Sequence, residues 1–146
     1  MRFSSVVWVS ILAWALSLAG CGSTPPPPQA GAGAYPTSSS NLSYSNKWRV
    51  EVSEGANSSG EIVFHVTPLG QETQVVTVPI EDGTRENKVA RTIRNVFRET
   101  LDSRMFHVEV DDGEDVLVKK RSGAPNFALE AVSSTVKSVR LQVEKE

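Results

Sequence analysis

Apolar and polar positions alternate through most of the chain beyond residue 46. Trp48, Val50 and Val52 recur at period two, as do Ile62, Phe64 and Val66, then Val76, Val78 and Ile80. Successive side chains of a strand point to opposite faces, so each set predicts a half-buried strand with its apolar side toward a core. The stretch Gly55-Ala56-Asn57-Ser58-Ser59-Gly60 and the triplet Pro68-Leu69-Gly70 separate the sets with turn-forming residues. Glu81-Asp82-Gly83 then breaks the alternation. Thr84 offers an N-cap hydroxyl, and Val89, Ala90, Ile93, Val96, Phe97 and Leu101 follow at helical spacing. One amphipathic helix is therefore expected from Arg85 to Asp102.

Alternation resumes after the helix with Phe106, Val108 and Val110, and Asp112-Gly113 supplies a tight hairpin turn before Val116 and Val118. Two further strands centre on Phe127, Leu129 and Ala131, and on Val139, Leu141 and Val143, with Arg140, Gln142 and Glu144 turned to the opposite face. The order is three strands, one helix and four strands. It predicts an α+β fold, an antiparallel sheet of about seven strands with one amphipathic helix packed on it, and leaves a helix-plugged barrel as the rival.

The N-terminus follows another pattern. Behind Arg2, Val6 to Ala19 forms an apolar run of 14 residues, short for a permanent bilayer span. Basic n-region, apolar h-region and small residues before a cleavage point are the parts of a secretory leader. Ending in Leu18-Ala19-Gly20-Cys21, this leader resembles the lipobox signal peptide of bacterial lipoproteins; an ordinary secretory leader and a short membrane anchor are the alternatives. The resemblance implies that residues 1–20 are removed and that Cys21 becomes the first residue, carrying a thioether-linked diacylglycerol and an acylated amino group. Two or three acyl chains, palmitate among them, make attachment effectively stable, whereas one holds a protein only marginally. Gly22 stands where, in enteric bacteria, an aspartate retains lipoproteins at the inner membrane. The resemblance therefore implies an outer-membrane anchor and a domain facing the periplasm.

Residues 22–46 carry no charged side chain and are dominated by Pro25 to Pro28, Gly31, Gly33 and Ser38 to Ser40. Such a segment buries too little apolar surface to offset chain entropy, so residues 21–46 are expected to form a lipidated, disordered tether. About 25 residues of coil reach roughly 25 to 30 Å. Residues 47–146 are long enough for one modest core and too short for two domains. Cys21 is the only cysteine, so this domain folds on hydrophobic packing without a disulfide. Loss of Arg2 with the leader leaves 14 basic against 17 acidic side chains, a formal charge of −3, which predicts no general affinity for nucleic acid. The aromatic residues Trp48, Phe64, Phe97, Phe106 and Phe127 are all expected in the core, leaving no stacking platform for bases or sugars.

The stretch from Val76 to Leu141 also resembles the strand-helix-hairpin modules of some phage tail and bacterial surface proteins. The resemblance rests on Val76, Val78 and Ile80, on Gly83-Thr84, on Val89-Ala90 with Ile93, on the Val108 to Val118 hairpin, and on Phe127 with Leu129. It implies a structural or adhesive role.

Candidate chemistry is sparse. The sequence contains no Gly-x-Ser-x-Gly elbow, and its two histidines, His65 and His107, fall on outward strand positions. Joint metal binding by them requires adjacent strands and a further ligand. Glu109, Asp111, Asp112, Glu114 and Asp115 crowd a turn, yet they do not follow the spacing of a calcium loop and read as a solvated hairpin. No metal, cofactor or catalytic residue is expected, so the chain is read as no enzyme. Binding has more support. Lys88, Arg91, Arg94 and Arg98 share the helix face opposite the apolar stripe, a basic band suited to lipid phosphates or an acidic partner protein, or simply to water. Lys119-Lys120-Arg121 closes the hairpin and reads as an edge-strand device against aggregation. The expected function is that of a non-catalytic, membrane-anchored lipoprotein that binds an envelope protein as an assembly accessory. The alternative is a pilotin-like chaperone or carrier holding a hydrophobic segment or acyl chain between helix and sheet.

Overall fold

The computed structural model describes residues 41–146 and the backbone of the pair 33–34. The expected leader, the lipidation position Cys21 and most of the expected tether lie outside the described residues.

Among the described residues, eight strands form two four-stranded antiparallel sheets. In the first the order is β1 (Gly33–Ala34), β7 (Phe127–Ser134), β3 (Gly60–Pro68) and β4 (Gln74–Ile80); in the second it is β5 (Phe106–Asp111), β6 (Asp115–Lys120), β2 (Lys47–Ser53) and β8 (Arg140–Lys145). Helix α1 (Glu86–Thr100) carries the chain from the first sheet to the second. The α+β class and the order of three strands, one helix and four strands are as expected from the sequence, with the two-residue β1 added in front.

The expected single sheet is corrected to two. A helix is about 10 to 12 Å across and strands are spaced about 4.8 Å, so one helix covers roughly two strands and leaves the other apolar faces wet. Two sheets facing each other cover one another. Val50, Val52, Val116 and Val118 of the second sheet and Ile62, Phe64, Val66, Val76 and Val78 of the first belong to one buried cluster. The barrel is corrected too. Neither β4 with β5 nor β7 with β8 is hydrogen-bonded, and α1 packs against both β4 and β5, closing that side with side chains rather than ladder bonds.

Local choices follow from the pattern. Val89, Ala90, Ile93 and Phe97 are the buried residues of α1, and the Phe97 ring meets Phe64 edge-on with centroids 5.0 Å apart. Thr84 does not cap the helix. The N-cap is Arg85, without a side-chain cap hydrogen bond, while Thr84 is buried and its carbonyl accepts the Ala56 N–H at 2.7 Å. In the β5–β6 hairpin, Asp112 and Gly113 have φ of 46° and 86°, the left-handed backbone that suits the twist of the flanking strands. Val132 is the extra residue where the β3–β7 register shifts, a bulge that returns Ser134 to the inner face.

The sheets are joined near Phe127. Its ring packs edge-on against Phe106 with centroids 5.1 Å apart. Its carbonyl accepts the Trp48 indole N–H at 2.8 Å and the Ser45 N–H at 2.9 Å. Ser45 is thus already part of the fold, two residues ahead of the expected boundary, and Gly33–Ala34 pairs with Ser133–Ser134 of β7. The exposed edge of β7 offers ladder groups that a small-residue segment can reach.

Truncating Phe97 removes the ring that seats α1 on β3. Phe97→Ala is expected to cost about 3 to 5 kcal/mol of unfolding free energy, read from the urea midpoint at unchanged slope; a loss below about 1 kcal/mol contradicts this packing.

Candidate functional site

Lys88, Arg91 and Arg98 are exposed on α1, whereas Arg94 is half-buried. Arg94 stands one turn after Ala90 and one turn before Phe97, both fully buried, so it lies on the flank of the apolar stripe. Its Nε is shielded from solvent and lacks a hydrogen-bond partner among the described residues. None of the four cations forms an ion pair among the described residues. The band is therefore a stripe of three solvated charges with a fourth partly tucked beneath it.

Lys119-Lys120-Arg121 is not an edge feature. β6 lies between β5 and β2, so an edge-protecting role is ruled out for these residues. Lys119 stands directly opposite Lys47 on β2 and His107 on β5. Lys47 pairs with Glu146, and Lys119 with Glu109. Among the described residues Lys120 and Arg121 meet only neutral oxygens: Lys120 Nζ donates to the Ala124 carbonyl at 2.8 Å, and Arg121 Nε donates to the Ser103 and Phe106 carbonyls at 2.7 and 3.3 Å. Asn46, Lys47, Lys119, Lys120, Arg121 and Ser122 line a shallow groove of about 280 Å³. Arg121 also borders a smaller cleft of about 70 Å³ with Arg98, Ser103 and His107, which brings the end of the helix band to the end of the hairpin cluster.

The outer face of the second sheet is an ionic lattice. Arg49 pairs with Asp115 at 2.7 Å and with Glu146, and His107 Nε2 lies 3.0 Å from Glu109. Leu117 points outward among these groups and is only 3 % exposed, because the stems of its charged neighbours cover it. Hydrogen bonds from Lys119 first and His107 second hold the Glu109 carboxyl below the ordinary glutamate range, outweighing its partial desolvation. Lys47, followed by Arg49, lowers Glu146 in the same way.

Two acids of the hairpin are drawn to separate partners. Glu109 faces Lys119 and His107, and Asp115 faces Arg49. Among the described residues no group of three or more histidine, cysteine or acidic side chains is arranged to hold a metal ion. The histidines sit on different sheets, His65 on β3 and His107 on β5. Neither is hydrogen-bonded to a serine, threonine or aspartate among the described residues. Cys21 lies outside the described residues. Sequence reasoning named the helix band and the hairpin cluster but not their convergence, nor the part of Asn46 and Lys47; only strand register places residues 46, 98 and 121 at one end of the domain. In comparisons with known proteins, the chain matches no family model and no curated protein.

The lowered Glu109 value has a definite sign. The group stabilises the fold above the ordinary glutamate range and ceases to do so as pH falls through its folded-state value. Lys119→Gln removes the larger of its two hydrogen bonds, so the Glu109 carboxyl is expected to titrate at higher pH by NMR and acid unfolding to begin at higher pH. An unmoved Glu109 titration contradicts the pairing.

Proposed function

We propose that this chain is a non-catalytic bacterial lipoprotein, anchored by acyl chains on Cys21 to the periplasmic side of the outer membrane, whose domain binds another envelope protein as an assembly accessory. The observation that carries the reading is Leu18-Ala19-Gly20-Cys21 closing a 14-residue apolar run behind Arg2, with no other cysteine in the chain. Roughly 25 uncharged residues rich in proline, glycine and serine follow, of which residues 22–32, ahead of β1, supply a leash to the domain.

The domain's own features support binding over chemistry and over carriage. Its cations Lys88, Arg91 and Arg98 are solvated and without ion pairs among the described residues, which suits an acidic protein surface at close range. A carrier needs room beneath the helix, and that space is taken by Val89, Ala90, Ile93 and Phe97, all at 0 % exposure. No role with nucleic acid or a cofactor is proposed.

The mass of the protein isolated from its native envelope tests the anchor. An N-terminal peptide beginning at acylated Cys21 is expected, and Cys21→Ser should abolish both cleavage and acylation; a native chain beginning at Met1 with a free thiol refutes the reading. Crosslinking in intact cells tests the partner. Changing Lys88, Arg91, Arg94 and Arg98 together to glutamine should reduce recovery of the captured protein about tenfold or more, since rim charges act mainly on association rate, and unchanged recovery would return the band to a solvated helix face.

A further inference from the structure

We infer that the groove at the end of β2 and β6 is a binding site for the phosphate of anionic membrane lipid headgroups, with Lys120 and Arg121 as its principal cations and Lys47 and Lys119 beside them. The inference rests on the proposed anchor and assigns a second membrane contact to the same domain.

Four observations carry it. First, none of the six side chains lining the groove is apolar, so the space suits a charged polar group and not an acyl chain or an apolar peptide. Second, the cluster lies on an interior strand, where no edge needs protection and where Lys47 directly opposite Lys119 is an unfavourable cross-strand pair. An anion bound beside them adds to the relief that Glu146 and Glu109 already give. Third, the two lysines of that pair have carboxylate partners in Glu146 and Glu109, but among the described residues Lys120 and Arg121 are held by backbone carbonyls alone. Carbonyls fix the position of a cation without cancelling its charge. Arg121 spends only Nε on those contacts, so among the described residues its two terminal nitrogens remain for an anion, and the planar guanidinium matches a phosphate with two parallel hydrogen bonds.

The fourth observation selects the source of the phosphate. Asn46 and Lys47, which line the groove, close the uncharged segment that begins after Cys21, and the Asn46 carbonyl accepts the Lys120 N–H at 2.9 Å. The chain from Cys21 meets the domain first at β1, on the Ser134 end of β7, and the groove lies toward the Phe127 end of the same strand, where Ser45 bridges to Phe127. The 11 residues 22–32 ahead of β1, with an average reach of roughly 18 Å as coil, hold the domain close enough to the surface to which Cys21 is fixed for its cationic end to turn onto it. Arg98, across the smaller cleft from His107, extends the cationic rim onto α1.

The test uses the protein isolated with its own N-terminus and placed in vesicles of phosphatidylcholine, of phosphatidylcholine with phosphatidylglycerol, or of phosphatidylcholine with added pyrophosphate. The readout is the rate at which an amine-acylating reagent modifies each lysine, measured peptide by peptide. Near an anionic surface each cation is worth about a factor of five in affinity, so acylation of Lys47, Lys119 and Lys120 is expected to slow at least about fivefold in phosphatidylglycerol vesicles, with Lys88 and Lys137 unchanged and raised salt reversing the effect. Arg121→Gln should lower the protection of the three lysines about fivefold, and Lys120→Gln that of Lys47 and Lys119, while Arg140→Gln, at the opposite end of the second sheet, leaves it intact. Lys120→Gln keeps an amide donor within range of the Ala124 carbonyl, so it decides the matter should Arg121→Gln unfold. Equal rates in neutral and anionic vesicles overturn the site. Loss of protection in Arg140→Gln instead overturns its placement, and protection by pyrophosphate with none from phosphatidylglycerol overturns the lipid as occupant. The mass of the N-terminal peptide is read on the same sample: a free Cys21 thiol refutes the anchor, and the lysine rates then still decide the groove.

Discussion

The packing of one sheet's apolar face against the other's is the interaction on which the rest of this domain depends. With its only cysteine at position 21, the folded part has no covalent tie, and about 100 residues must hold together by burying side chains. Neither sheet is stable alone, because each would leave a row of valines and phenylalanines in water. Phe127 fastens the two at one end. Its ring lies against Phe106 of the opposite sheet, and its carbonyl takes the indole N–H of Trp48. That indole hydrogen bond gives a large buried ring its one polar partner and so fixes the spacing of the sheets where the basic groove opens.

The fold's parts were legible because they are local. A period of two across residues 48–52, 62–66 and 76–80, and a period near 3.6 across residues 89–101, depend only on neighbours in sequence. The Asp112-Gly113 turn was legible for the same reason, since few residue pairs accept two positive φ values. What was not legible is which strand lies beside which. The apolar pattern is the same for a strand in one wide sheet and for a strand in either of two facing sheets, and the choice is made by how many apolar faces one helix can cover. Thr84 shows a smaller version of this. Its hydroxyl suits an N-cap, but its backbone is committed to the Ala56 loop, and a tertiary hydrogen bond overrode the local preference.

The candidate site was legible in its residues and illegible in its geometry. The helix band follows from angular spacing alone, although the half-burial of Arg94 depends on how deeply α1 sinks between β4 and β5. The hairpin cluster was visible as three consecutive cations, and its natural explanation was an exposed edge. That explanation fails once β2 is seen to add to β6 on the side away from β5. Pairing between residues near 47 and 119 has a sequence separation that no periodicity reports, so the convergence of Lys47, Arg98 and Arg121 needed the register.

Charge in the second sheet is sorted by position in space, not by direction of the chain. β5 runs from His107 to Asp111, β6 in reverse from Asp115 to Lys119, and β2 from Lys47 to Glu51. These three adjacent strands alternate in direction, yet each places its base at the groove end and its acid at the hairpin end. Secondary structure does not require this, since reversing the charges on any one strand would preserve its alternation. β8 runs the other way, with Arg140 beside Ser53 and Glu144 beside Arg49, and Glu146 beyond it neutralises part of the groove. The result is a domain whose formal charge is slightly negative as a whole while one end is cationic. At physiological ionic strength such a field extends about 8 Å, too short to draw the protein from afar but long enough to orient a body already held at a surface. A tethered domain with this asymmetry turns its cationic end toward any anionic surface beneath it.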